Sequence, residues 1–171
     1  AVTLQSELTF TNVLELIDIA QIPVLADERG ESDPIVMAGG PCAVNPVPLK
    51  PFVDVFFIGE AEEGILEIAE VIATVSGRAE RIRALAQIEG CYVPAVHDAM
   101  MSADPAFKIK VRKYTGFHTN KKLHTPQLLS WQLATHNRYV AEIMRGCTRG
   151  CRFCQAGYIY RPVRERNPDD I

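Results

Sequence analysis

The sequence predicts an α/β fold built on a parallel sheet, and three observations carry that prediction. Two short apolar runs, in "DPIVMAGGPC" and "VDVFFIGEAEE", each end at glycine, as a buried parallel strand does where it meets a tight turn. Stretches with apolar residues at helical spacing alternate with these runs. At 171 residues and 47% hydrophobic, the chain also holds enough apolar material for a real core. Strands and helices in alternation place a ligand site at the carboxyl ends of the strands.

Residues 2–4 read as the tail of a first strand, and a polar loop leads to Thr11 or Asn12 as a helix cap. Val13, Leu16, Ile17 and Ala20 then share one helical face. The run ending in Gly39 and Gly40 is the second strand, and "VDVFFIGEAEE" supplies the third. Its acids fall in the first turn of a helix, where the helix dipole favours them, and Ile65, Ile68, Ala69 and Ile72 lie on one side. Residues 78–88 form another helix and "CYVPAV" a short strand. In "AFKIKVRKY", Phe107, Ile109 and Val111 alternate with Lys108, Lys110 and Arg112, the pattern of a half-exposed strand with a basic outer face. Periodicity then fades, so residues 108–137 are expected to connect a first domain, 1–107, to a second, 138–171. "YVAEIM" restores a strand over residues 140–144, and "NPDDI" opens a helix.

Charge divides the chain at the same place. Residues 1–107 carry 5 basic and 17 acidic side chains, net −12, whereas residues 108–171 carry 13 basic and 4 acidic, net +9. The basic part is expected to face an anionic cofactor, cluster or substrate; the alternative is a solvated basic surface. No apolar run approaches the roughly 18 residues of a membrane span, and residues 1–10 lack the features of a signal peptide, so the expected compartment is the cytoplasm.

Five cysteines do not form a disulfide framework when three of them, Cys147, Cys151 and Cys154, crowd into eight residues. The spacing C-x3-C-x2-C lets one loop direct three thiolates to a common centre, with Gly146 and Gly150 giving the backbone freedom to wrap it. A structural zinc site takes four ligands, and the nearest further candidates, Cys91 and His136, sit at no zinc-finger spacing. A [4Fe–4S] cluster held by three cysteines leaves one iron open for chemistry. A structural zinc loop and a ferredoxin-like electron carrier stand as the other readings. Arg145, Arg149 and Arg152 place positive charge about the loop, where it would favour a reduced cluster or merely keep the surface soluble. Cys42 and Cys91 read as small buried hydrophobes, and His97, His118, His124 and His136 as surface or loop histidines. Glu142 reads as a salt-bridge partner on the strand that enters the loop.

The cysteine spacing, with an aromatic at Phe153 before the third cysteine, resembles the signature of the radical SAM superfamily. The wider stretches "EIMRGCTRGCRFCQAGYIYRPVRERNPDDI" and "MAGGPCAVNPVPLKPFVDVFFIGEAEE" resemble a group of radical SAM proteins with an N-terminal cobalamin-binding-type domain. That resemblance implies the rear part of a Rossmann-like sheet domain followed by the first βα unit of a (β/α) barrel. It implies a [4Fe–4S] cluster on Cys147, Cys151 and Cys154, S-adenosylmethionine (SAM) with its adenine against Phe153, and an external electron donor of flavodoxin or ferredoxin type. For Phe153, a packed core aromatic is the competing reading. It implies cobalamin near Thr3, Gly39 and Gly40, and with it methylation of an unactivated carbon. Against this, Ala61 replaces a glycine in the family's G-E-G-E, and a D-x-H-x-x-G motif is absent from the chain. On this reading the chain is a fragment lacking most of its barrel and inactive alone. The substrate is not written in these residues, and a role on RNA has only scattered lysines behind it.

Overall fold

A computed structural model describes residues 1–119, 131, 132 and 138–171, all but the side chain of residue 170. Two compact units divide the chain, Ala1–Tyr114 and Thr115–Ile171. His124, His136 and much of the expected connection lie outside the described residues.

The first unit is a mixed α/β structure on a four-stranded sheet ordered β1-β2-β3-β4. The strands are β1 (Val2–Thr3), β2 (Met37–Gly39), β3 (Val55–Phe57) and β4 (Cys91–Tyr92). Parallel pairing sets Thr3 opposite Gly39 and Ala38 opposite Phe56, while β4 returns antiparallel with Cys91 opposite Phe57. The parallel α/β sheet expected from the sequence is therefore present over β1 to β3, and the antiparallel β4 makes the sheet mixed. β3 reads as an unbroken apolar run because both its faces are covered: Phe56 joins a core of Leu4, Val13, Ile17 and Val53, and Val55 and Phe57 join one of Ile68, Leu85 and Val93.

Helix α1 (Phe10–Ile19) begins after Thr9, with Ser6 accepting the Leu8 N–H to start the preceding turn, so the capping lies upstream of Thr11 and Asn12. It buries Val13 and Ile17 and leaves Leu16 exposed. Between β2 and β3 there is no α-helix, only two short turns at Pro41–Val44 and Val47–Leu49, because proline recurs there too often to continue an amide ladder. Helix α2 (Gly64–Thr74) buries Gly64 and Ile68 and half-buries Val71, while Ile65 and Ile72 remain exposed. The inward face is thus rotated from the one the isoleucines suggested. A side chain at Gly64 would meet the Phe57 ring at 2.5 Å, so glycine there sets how closely helix and sheet approach. Helix α3 is Arg78–Leu85, and α4 is Pro94–Ala103.

Two expectations are corrected in this unit. "CYVPAV" is a two-residue strand running into α4, since proline at the first helical position starts a helix as readily as it ends a strand. "AFKIKVRKY" is not a strand: it makes one parallel bridge, Arg112 opposite Gly59. Phe107 and Ile109 do turn inward and Lys108 and Lys110 outward, but Arg112 is drawn in as well.

In the second unit, β5 (Met144–Arg145) pairs antiparallel with β6 (Arg164–Glu165). The helix between them, α5, is Ala156–Ile159, and Asn167 caps a final turn, Pro168–Asp170. The strand expected over residues 140–144 shrinks to its last residue plus Arg145. A parallel barrel strand needs parallel neighbours, and the partner here is the antiparallel β6. Phe117 is fully buried at the centre of this unit, with Arg145, Arg164 and Arg166 stacked 5.1, 5.5 and 4.6 Å from its ring centroid.

Candidate functional site

The cysteine loop leaves β5 through Gly146, whose φ of 98° no side chain adopts cheaply. A Cβ there would lie 2.4 Å from the Tyr160 carbonyl oxygen, so this glycine lets the loop's two ends meet. Gly157 of α5 has the same role against the loop, its Cβ position 2.5 Å from the Arg149 oxygen. Gly150, by contrast, has open space around it, and its freedom is not used. The sequence reading missed Gly157; its only signal was a glycine inside an apolar turn.

All three thiols are free, Cys151 exposed and Cys147 and Cys154 half-buried. The Arg149 N–H donates to Cys147 Sγ at 3.4 Å, and the Cys154 N–H donates to the Cys151 oxygen at 3.2 Å, which folds the second and third cysteines into one turn. The expectation that the loop alone points three sulfurs at one centre is not met: among the described residues no three His, Cys, Asp or Glu side chains stand close enough to share a metal ion. Free thiols do not attract one another, and metal sites commonly assemble only as the metal binds. In number, softness and accessibility the three donors suit iron–sulfur ligation.

Phe153 is 90% exposed, so the packed-core reading of this ring fails. Arg149 and Arg152 are exposed too. Arg145 is not a free cation: Glu142 accepts from its Nε at 2.8 Å and its Nη2 at 3.0 Å, and Phe117 backs it. The salt-bridge reading of Glu142 therefore holds.

In the first unit the sheet brings Thr3, Gly39 and Gly40 together at the carboxyl ends of β1 and β2. The Gly40 hollow is filled by the chain itself: with φ 98°, its Cβ would stand 2.9 Å from the Leu4 oxygen and 3.1 Å from Thr3 Cγ2. Gly39 has only ordinary contacts with Phe57. Gly59, opening "GEAEE", has φ 129° and a Cβ position 2.1 Å from the Arg112 oxygen. Gly40 and Gly59 serve close approach of the chain's own backbone, so they do not fit a cradle for a corrinoid.

The acids after Gly59 have partners that the sequence did not reveal. Arg112 donates to both Glu67 oxygens, at 2.8 and 2.6 Å, and lies 3.5 Å from Glu63. The guanidinium beside Glu67 holds its carboxyl below the usual range, and Arg112 is held charged in return. Buried Glu60 accepts the Tyr114 N–H at 2.9 Å. The spacing of three glutamates on the entry to α2, ahead of a lone basic strand-like segment, was the available signal.

Of the other candidates, Cys91 is buried on β4 and desolvation pushes its thiol up to about 12, which leaves it a hydrophobe, as is buried Cys42. His97 is not a surface residue. It is buried between the Tyr92 and Phe107 rings, its Nδ1 accepts the Val93 N–H at 2.9 Å, and burial lowers its pKa. His118 is exposed and sits edge-on to Phe117. A cavity of about 690 Å³ lies where the parallel strands begin, lined by Leu25, Arg29, Lys50, Asp54, Arg78 and Asp98 among others. Its guanidiniums are committed: both bind Asp54, Arg29 also donates to three carbonyls, and Arg78 to two. No described helix is long and apolar enough to cross a membrane.

Residues 1–94 match the model of the family described as radical SAM proteins, N-terminal. The chain is 30% identical over 171 residues, 99% of its length, to an uncharacterised protein of Methanocaldococcus jannaschii, and covers 32% of that protein. It thus spans about a third of that relative's length. No solved structure matches the chain. Since the matched residues 1–94 are more than half of its 171, the chain belongs to the family of radical SAM proteins, N-terminal.

Proposed function

We propose that this chain contributes the cluster-binding part of an enzyme that reductively cleaves SAM, with Cys147, Cys151 and Cys154 as ligands to a [4Fe–4S] cluster. The observation that carries this is the family match of the first unit joined, in the same chain, to three free thiols at C-x3-C-x2-C. Such a cluster, with one iron left to SAM, supplies the electron that breaks the sulfonium bond and releases a 5′-deoxyadenosyl radical. The residues present hold and position. The Arg149 N–H donates to Cys147 Sγ and so holds that thiol in the loop, and Glu142 and Phe117 hold Arg145 one residue before Gly146. Phe153, unpacked and flat, is available to cover the adenine.

The electron comes from an external flavodoxin- or ferredoxin-type protein, in the cytoplasm. We further propose that the catalytic barrel and the substrate contacts belong to the two-thirds of the relative's length that this chain does not span. Corrinoid-assisted methyl transfer has no part in this reading, because the glycine positions that would admit the corrin face the chain's own backbone.

Anaerobic reconstitution with iron, sulfide and reductant tests the proposal. Iron and sulfide near four each per chain, and an electron paramagnetic resonance signal that changes when SAM is added, are expected. Stoichiometric zinc with no signal would replace this reading by a structural metal loop. A signal indifferent to SAM would replace it by an electron carrier.

A further inference from the structure

In an open α/β sheet the carboxyl ends of the parallel strands are where a ligand enters. Here that edge is already taken at β3. Beyond Phe57, the Ile58 oxygen accepts the Arg112 N–H at 3.1 Å, and the Arg112 oxygen accepts the Glu60 N–H at 3.0 Å, so Arg112 pairs with the strand's continuation. Gly59 and Gly90 make the approach possible. Gly59 has no room for a Cβ against Arg112, Gly90 would put one 3.0 Å from Arg112 Cβ and 3.2 Å from the Ile58 oxygen, and Gly40 closes the neighbouring edge on Leu4.

Carboxylates then fix the segment from outside. Glu67 holds the Arg112 guanidinium by two parallel hydrogen bonds, the strongest geometry open to that pair, and Glu63 adds a longer contact. Glu60, 7% exposed, accepts the Tyr114 N–H and lies 4.0 Å from Lys113 Nζ. A buried carboxylate is costly without partners, and residues 113 and 114 supply this one with a hydrogen bond and a cation. The three acids thus all act on residues 112–114 of their own chain.

We propose that residues 112–114 are the standing occupant of the β3 carboxyl edge, and that Glu60, Glu63 and Glu67 are the clamp that keeps them there. The edge is an anchor: it fixes the point at which the chain leaves the sheet, one residue before the second unit begins at Thr115. This holds whether or not the cysteines bind a cluster, so failure of one reading leaves the other standing.

One measurement on the full chain decides it. Hydrogen exchange read by mass spectrometry should show the Arg112 and Tyr114 amides protected, and Arg112→Ala should speed exchange at Tyr114 by about tenfold or more while Val55–Phe57 is unchanged. If those two amides exchange in the unaltered chain as fast as in a free peptide, the edge is open and the clamp does not exist. That comparison stands even if Arg112→Ala fails to fold.

Discussion

Substituting Asp54 by asparagine should unfold the first unit more readily than any other single change of one functional group. Asp54 precedes β3 and has only 4% of its side chain exposed. Its Oδ2 accepts from Arg29 at 2.8 Å and from the Val36 N–H at 2.7 Å, and its Oδ1 accepts from Arg78 at 2.6 Å. The arginine side chains are 0% and 8% exposed, so the carboxylate is the shared counter-charge for two buried cations. Asparagine keeps the size and one acceptor for Val36 but removes the charge and turns a donor toward a guanidinium. Removing one member of a buried ion cluster costs about 3–5 kcal/mol, chiefly because the charge left behind cannot reach water. For a unit of this size about 4 °C in Tm accompanies each kcal/mol, so the loss should be about 12–20 °C. Thermal unfolding followed by far-ultraviolet circular dichroism reads it. Converting Arg29 and Arg78 to methionine as well should not restore stability, because the carbonyls of Pro23, Val24, Asp33, Pro34 and Phe52 would then lose their donors. A drop below about 1 kcal/mol in Asp54→Asn would show that water or rearrangement reaches these charges, and the reasoning would fail.

Gly146→Ala should disturb the cysteine loop, since its Cβ would fall 2.4 Å from the Tyr160 oxygen at a φ of 98°; we expect reduced iron uptake on reconstitution, with unchanged uptake counting against the packing argument. Alanine at any one of Cys147, Cys151 or Cys154 should abolish stoichiometric iron and sulfide, read by elemental analysis. His97, lowered from 6.5 by burial, is neutral in the folded state, while in the unfolded chain it takes a proton near 6.5. Its contribution to stability is therefore complete above that value and is lost as pH falls toward the lower folded value. Urea unfolding between pH 7.5 and 5.5 should show this decline, and His97→Gln should flatten it. Phe117→Leu should cost about 1–2 kcal/mol and loosen the three arginines on its ring, visible as faster hydrogen exchange in β5 and β6.

The first three strands and helices α1 to α3 were legible because their apolar periodicity and glycine stops are local properties. Helix α4 was not, since Pro94 ends a strand and begins a helix equally well. The "AFKIKVRKY" alternation misled for a related reason: it does not tell whether a neighbouring strand exists to pair with, and it put Val111 inward and Arg112 outward where the structure has Val111 exposed and Arg112 drawn in. At the candidate site, the chemistry of Cys147, Cys151 and Cys154 was written in their spacing, while the exposure of Phe153 and the pairing of Arg145 with Glu142 depend on what surrounds them.

The sequence by itself determined the α/β character of the first unit, the break in charge between the acidic and basic parts, and the three clustered thiols. Each is a property of neighbours along the chain, where composition and period act directly. Only the tertiary structure decided that Asp54 sits between two buried arginines, that His97 is enclosed by aromatic rings, and that the glycines of the sheet edge admit the chain's own residue 112. The Asp54 pairs and the Gly59–Arg112 approach join positions 24 to 53 residues apart, and a contact across such a distance is set by how strands register and helices cover them, which no local pattern encodes.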